Sequence, residues 1–169
     1  MQALTYNISE RISFRPVVLP DDEPFLDELY ASTRDDLNRF ITDKSQLRQL
    51  LKMQHNAQEA AYSAEFPNAS HDILLLSGNA IGRLIVDRRP DAIHGVDLAL
   101  LPEVRGVGIG TIILRSLFKE CEDLNVRFIF HVLKNNPAKR LYERLGCFVT
   151  GDDITHFSME WRAESARNL

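Results

Sequence analysis

Two cysteines, Cys121 and Cys147, are too few for a disulfide framework, and neither sits in a metal-ligand spacing. Free thiols suit a reducing compartment, so the expected location is the cytoplasm. An excess of positive charge is missing too. The net charge is −4 and the pI about 5.7, which argues against a broad nucleic-acid surface. No apolar run approaches the length of a membrane span. The opening MQALTYNISERISF lacks the continuous apolar core of a signal peptide. His55, His71 and His156 show no spacing that suggests a metal, and none is expected. Repeats, low-complexity tracts and interdomain linkers are absent. What remains is an ordinary globular composition, 44% hydrophobic and 26% charged, long enough for a real core. The expectation is one domain over 1–169, with 1–10 a loose leader.

The periodicities set out a mixed α/β chain. Arg11 to Val17 alternates as a first strand, and Pro20-Asp21-Asp22 offers N-cap chemistry to a helix carrying Phe25, Leu26, Leu29 and Tyr30. A second helix is predicted over Ser45 to Ala64. Its polar stripe of Gln54, His55, Gln58 and Tyr62 reads as an exposed face or as the wall of an acceptor pocket, the exposed face being favoured. Three antiparallel strands follow: Asp72 to Leu76, Ala80 to Asp87 across the turn Ser77-Gly78-Asn79, and His94 to Leu101. Ile109, Ile112, Ile113, Leu117 and Cys121 mark a helix from about Gly108 to Asp123, closed by Asn125. Val126 to Leu133 is a short strand. Asn136 then serves as N-cap and Pro137 as first helical residue, with Gly146 past the helix end. Cys147 to Thr150 and Thr155 to Trp161 are the last strands. Arg88-Arg89 and Lys139-Arg140 read as solvated charge pairs.

The densest chemistry lies in Asp97 to Thr111, DLALLPEVRGVGIGT. An apolar strand stops at Pro102, and a glycine-rich turn carrying Arg105 opens directly into a helix. Unpartnered first-turn N–H groups and the helix dipole make such a turn an anion site. Glycine lets a phosphate approach the backbone, and Arg105 adds a fixed positive charge. A P-loop is excluded, since no Lys follows Gly110, and G-x-G-x-x-G fails from both Gly106 and Gly108. The pattern that fits is [RQ]-x-x-G-x-[GA], as Arg105-x-x-Gly108-x-Gly110.

That stretch resembles the pyrophosphate motif of the GNAT superfamily, the N-acetyltransferases that use acetyl-coenzyme A. About thirty residues on, Asn135-Asn136-Pro137-Ala138-Lys139-Arg140-Leu141-Tyr142-Glu143-Arg144-Leu145-Gly146 resembles the family's second signature, N-x-x-A-x-x-L-Y-E-x-L-G-F. One departure is Cys147 in place of the usual Phe, with Phe148 one position later. The resemblance implies a mixed, mostly antiparallel central sheet with a splayed central strand pair, flanked by helices. It implies pantetheine contacts on Leu98 and Leu100. Pyrophosphate contacts would fall on Arg105, Gly106, Val107, Gly108, Ile109, Gly110 and Thr111. Asn135 would bond the pantetheine side, and Lys139 or Arg140 would reach the nucleotide phosphate. Tyr142 would be the general acid that protonates the departing thiolate.

Asp97 is read from its own setting. A carboxylate in an apolar strand is costly unless partnered. It is either the base that takes the amine's proton or a structural carboxylate that caps a loop or pairs with an Arg. His94 and His131 are runner-up bases. Cys121 reads as a small core residue, and nothing places a base beside Cys147. The expected activity is direct acetyl transfer from acetyl-coenzyme A to a primary amine of a small molecule or peptide. The acceptor is not legible, and a homodimer stays open. The competing class is a non-catalytic acyl-coenzyme A sensor, against which Tyr142 and Asp97 argue.

Overall fold

The computed structural model describes residues 11–163, so the leader expected over 1–10 lies outside the described residues. The chain divides into two compact units, 1–85 with 97–107 and 86–96 with 108–169. The strands are β1 (Ile12–Pro16), β2 (Ser70–Leu76), β3 (Asn79–Arg88), β4 (Ala92–Leu100), β5 (Arg127–Leu133), β6 (Phe148–Asp152) and β7 (His156–Trp161). They form one mostly antiparallel sheet in the order β1-β2-β3-β4-β5-β7-β6. The helices are α1 (Glu23–Ser32), α2 (Asp35–Asn38), α3 (Lys44–Glu65), α4 (Ile109–Leu124) and α5 (Lys139–Arg144).

In the first unit, β1 pairs antiparallel with β2 from Ile12↔Leu76 to Pro16↔Asp72. The β2–β3 connection holds Ser77 at φ 51° and Gly78 at φ 84°. Positive φ at both central residues is the hairpin geometry that matches the right-handed twist of the strands. Leu26, Leu29, Ile73, Leu74 and Ile85 supply the unit's core. The short helix α2 was not anticipated; Asp35 and Asp36 in its first turn suit a helix start. Asp22 also departs from expectation. It occupies the N-cap position of α1, but its side chain makes no cap bond. Arg15 holds it instead, through Nη1 to Oδ2 at 2.7 Å and Nη2 to Oδ1 at 2.6 Å, and Val18 N–H donates to Oδ2 at 2.8 Å. A bidentate guanidinium is a stronger partner than a helix amide.

In the second unit, α4 buries Ile113, Leu117, Phe118 and Cys121. Phe118 stacks on Trp161 at 4.6 Å between centroids and meets Phe128 edge-on at 5.5 Å. Asn125 ends α4 in the left-handed region at φ 54°, as its place in the sequence suggests. Parallel register between β4 and β5 runs from Ala92↔Arg127 to Gly95↔Phe130. Leu98 and Leu100 fall beyond it. Regular helix begins later than expected in α5, with Ala138 at the cap position. Asn136 keeps its capping chemistry two residues earlier, its Oδ1 accepting from Ala138 N–H at 2.9 Å. Gly146 follows at φ 89°.

At Gly82 the backbone of β4 leaves no room for a side chain on β3. A Cβ there would lie 2.2 Å from the Ala99 carbonyl oxygen, an atom of backbone that cannot move aside cheaply. Gly82→Ala should therefore destabilise the protein by about 1–3 kcal/mol, the usual range for forcing a methyl into packed space. Denaturant titration reads this directly, and an unchanged midpoint would contradict the close approach.

Candidate active site

Asp97 does not stand alone in its strand. Its Oδ2 accepts from Arg83 Nε at 2.6 Å. Arg83 is 5% exposed, and a buried charge survives only when its donors are satisfied. Glu59 Oε1 takes Nη1 at 2.5 Å, and Gln58 Oε1 takes Nη2 at 3.0 Å. Glu59 Oε1 lies 3.6 Å from His55 Nε2, and His55 Nδ1 lies 2.6 Å from Asp27 Oδ1. Asp27 Oδ2 takes Lys52 Nζ at 2.7 Å, which also reaches Glu23 at 2.5 Å. With His55 protonated, the sign alternates at every link from Glu23 to Asp97.

Protonation of His55 follows from its neighbours. An imidazole bonded to Asp27 through Nδ1–H and left neutral would aim a lone pair at the Glu59 carboxylate. Glu59 raises the His55 pKa, burial opposes that, and Asp27 adds to the rise. Burial pushes Glu59 up, but His55 and Arg83 outweigh it and hold the carboxyl at about 2. Tyr30 stacks on the His55 ring at 4.9 Å. Tyr62 has its pKa raised, first by burial and then by the charge of Asp97.

The stripe of Gln54, His55, Gln58 and Tyr62 is thus not the exposed face that was favoured. His55 is 4% exposed, and Gln54 is tied to Arg34 at 2.6 Å. Charged partners on β3, β4 and α1 draw polar side chains of α3 inward, which helical spacing alone does not reveal. Arg83, Glu59 and Asp27 were not singled out from the sequence. A signal for Arg83 was there: one cation inside the apolar run Ala80 to Val86.

Leu101 N–H donates to Ile81 O at 2.8 Å, toward β3. Backbone groups alternate along a strand, so those of Leu98 and Leu100 face the edge away from β3. The Leu100 carbonyl accepts from Arg105 Nε at 2.8 Å. Arg105 Nη2 reaches Ser32 Oγ at 3.1 Å and its carbonyl at 3.3 Å. The Arg105 side chain is therefore bonded to the end of α1 and the end of β4 rather than held apart as a lone charge. Gly106 (φ 76°) and exposed Val107 complete this unit's part of the turn.

In the second unit, Gly108 takes φ 94° at the head of the sixteen-residue α4 and offers no side-chain cap. A Cβ on Gly108 would meet nothing within 4 Å, so sterics inside the protein do not explain the glycine; its φ does. Buried Ile109 and half-buried Gly110 and Thr111 form the first turn. A Cβ on Gly110 would be 3.9 Å from Leu141 of α5. The Tyr142 ring sits edge-on to Phe130 at 4.6 Å. Lys139 pairs with Glu143 and lies 5.1 Å from the Phe157 ring centroid, while Arg140 and Asn135 are exposed.

The remaining candidates divide. His94 has its pKa lowered, chiefly by burial and then by the charge of Arg89, which favours a neutral ring. His131 is exposed, opposite Ser158 on β7. Burial pushes the Cys121 thiol up to about 12, as suits a core residue. Arg88 and Arg89 are exposed but not merely solvated: Arg88 pairs with Glu120 at 2.5 Å and Arg89 with Asp87 at 2.7 Å. Among the described residues no group of side chains could hold a metal, and no helix is long and apolar enough to cross a membrane.

Comparison with known proteins identifies the family. The family model described as Acetyltransferase (GNAT) family matches residues 26–147. The chain belongs to that family, and so to the enzymes that transfer an acetyl group from acetyl-coenzyme A. No curated protein sequence matches it. Among solved structures, the PaiA N-acetyltransferase of Thermoplasma acidophilum in complex with coenzyme A is similar at TM-score 0.66 and 16% identity, over 90% of this chain and 99% of that one. Arabidopsis thaliana Naa50, in complex with the bisubstrate analogue CoA-Ac-MVNAL, is similar at TM-score 0.61 and 14% identity, over 90% and 99%. A GNAT family acetyltransferase of Elizabethkingia anophelis with acetyl-CoA bound is similar at TM-score 0.58 and 11% identity, over 91% and 99%.

The charge chain makes stability depend on pH. A His whose folded pKa is raised contributes stability fully below its unfolded value of about 6.5 and loses it as pH rises through the folded value. The parent should therefore weaken on going from pH 6 to pH 9, and His55→Gln should flatten that slope. Parallel slopes in denaturant melts of the two proteins would contradict a protonated His55.

Proposed function

We propose that this protein transfers the acetyl group of acetyl-coenzyme A directly to a primary amine. The observation that carries the reading is the left-handed Gly108 heading α4 without a side-chain cap, in a chain of this family. Its open surroundings suit a ligand phosphate close to the backbone. The first-turn amides of Ile109, Gly110 and Thr111 would hold the pyrophosphate of coenzyme A. Gly106, Val107 and Arg105 would complete that grip. Leu98 and Leu100 would bond the pantetheine arm through the strand edge away from β3. Asn135, Lys139 and Arg140 would serve the pantetheine and the nucleotide phosphate.

When bound, acetyl-coenzyme A supplies the thioester. Asp97 takes the proton of the attacking amine, and a backbone N–H near Leu100 meets the charge that develops on the carbonyl oxygen. Tyr142 gives its phenolic proton to the departing sulfur. Its ring is held edge-on against Phe130. The acceptor is a small molecule or a peptide with a free amine. The two buried, unoxidised cysteines support a cytoplasmic setting.

Tyr142→Phe should fold, bind acetyl-coenzyme A, and lose roughly 10²–10⁴-fold in turnover, the range for a positioned acid. The loss should shrink with a thioester whose leaving thiol is more acidic. A deficit indifferent to leaving-group acidity would remove Tyr142 from this role.

The glycine cradle has an internal control. Gly108 (φ 94°) and Gly78 (φ 84°) would both strain an alanine and both have nothing within 4 Å of a Cβ. Gly108→Ala and Gly78→Ala should cost similar stability, but Gly108→Ala alone should weaken coenzyme A binding by tenfold or more. Equal affinities by calorimetry would refute the turn as a phosphate site.

A further inference from the structure

The fork on Arg83 has a consequence for catalysis as well as for folding. A guanidinium is planar, so three acceptors fix its plane, and that plane sets where the carboxylate oxygen bonded to Nε is held. The acceptors here are Asp97 Oδ2, Glu59 Oε1 and Gln58 Oε1. Asp97 is pinned by one oxygen. Arg83 engages Oδ2, and the Asp97 side chain keeps 22% of its surface open. A carboxylate anchored through one oxygen and still partly open is placed to accept a proton from a substrate.

The groups facing Asp97 hold a constant charge. Arg83 faces it from β3; Glu59 and Tyr62 face it from α3. Glu59 stays ionised, with burial opposing and His55 and Arg83 prevailing, while burial and then Asp97's charge keep the Tyr62 phenol protonated. His55, the group beyond, touches Glu59 rather than Asp97.

We propose that Arg83 is a positioning residue for acetyl transfer, orienting Asp97 so that Oδ1 receives the proton of the acceptor amine. This rests on the reading of Asp97 as base. In the step itself the amine N–H bond breaks and an O–H bond forms on Asp97. The nitrogen lone pair makes the new C–N bond, the C–S bond breaks, and the sulfur takes its proton from Tyr142. Glu59 and Gln58 act one remove further out, by holding Arg83.

The test follows coenzyme A release from acetyl-coenzyme A between pH 5 and 9, with 1,4-diaminobutane, lysine methyl ester and the free peptide Met-Val-Asn-Ala-Leu as acceptors. Arg83→Lys keeps the cation and loses the fork. Its kcat should fall about 10–100-fold, the cost of a slightly misplaced group, with acetyl-coenzyme A affinity within threefold and the acid limb unmoved. Arg83→Gln also removes the cation, and its acid limb should move to higher pH. If Arg83→Gln does not fold, the double variant Arg83→Gln/Glu59→Gln removes the carboxylate left unpaired, and the same shift is read there. Parental kcat and acid limb in the folded Arg83 variants overturn the proposal. Asp97→Asn separates it from the reading beneath. Parental rates in that variant remove the base itself and the proposal with it. A collapse in Asp97→Asn beside parental Arg83 variants sinks the positioning role alone. No release with any of the three acceptors overturns both.

Discussion

A buried guanidinium sets the terms for the first unit. Arg83 stands in a strand whose neighbours are apolar and which gives it almost no water. Ions taken from water carry a penalty of several kcal/mol each, and close, well-directed partners are what offset it. Asp97 comes from β4, and Glu59 and Gln58 come from α3. Helix and strands are therefore held in a fixed relation by the need to satisfy one cation. Hydrophobic contact between α1, α3 and the strands is non-directional and would tolerate sliding. The fork does not, because three acceptors must meet donors in one plane.

The second unit meets a different constraint. The backbone at Gly108 turns left-handed immediately before a long helix, and α4 begins with its amides unanswered by any side-chain cap. Helix starts usually recruit Ser, Thr, Asp or Asn for that purpose. Forgoing the cap costs stability, of order 1 kcal/mol by comparison with capped helices. The loss is intelligible where the amides serve an external anion instead. The same economy extends to Gly106, held at positive φ with space around it.

Local features were legible in the sequence. Strand alternation, the two-residue turn at Ser77 and Gly78, the apolar face of α4 and the closing Asn125 are each set within a few residues of chain, so their chemistry can be read there. The glycine motif and the Asn135 to Gly146 signature were legible because backbone needs dictate residue type. What could not be read was pairing at a distance. Asp22 looked like a cap and is instead the partner of Arg15. The polar stripe of α3 looked exposed because nothing in its own spacing says that Arg83 and Asp27 wait opposite. Asp97 was left between base and structural carboxylate. The sequence could suggest an Arg partner but not which Arg, since Arg83 lies fourteen residues away on a neighbouring strand.

The alternation of sign from Glu23 to Asp97 also constrains how this sequence can drift. Losing any inner member strands its two neighbours with like charge and no mediator. Replacement one residue at a time therefore passes through a poorly tolerated intermediate, whereas removing an adjacent acid and base together leaves the remainder balanced. Across descendants of this chain the inner positions should be inherited in couples, Arg83 with Glu59 or His55 with Asp27, and a lineage that has abandoned one should have abandoned its companion. Divergence there is quantised in pairs, while the apolar positions around it are free to change singly.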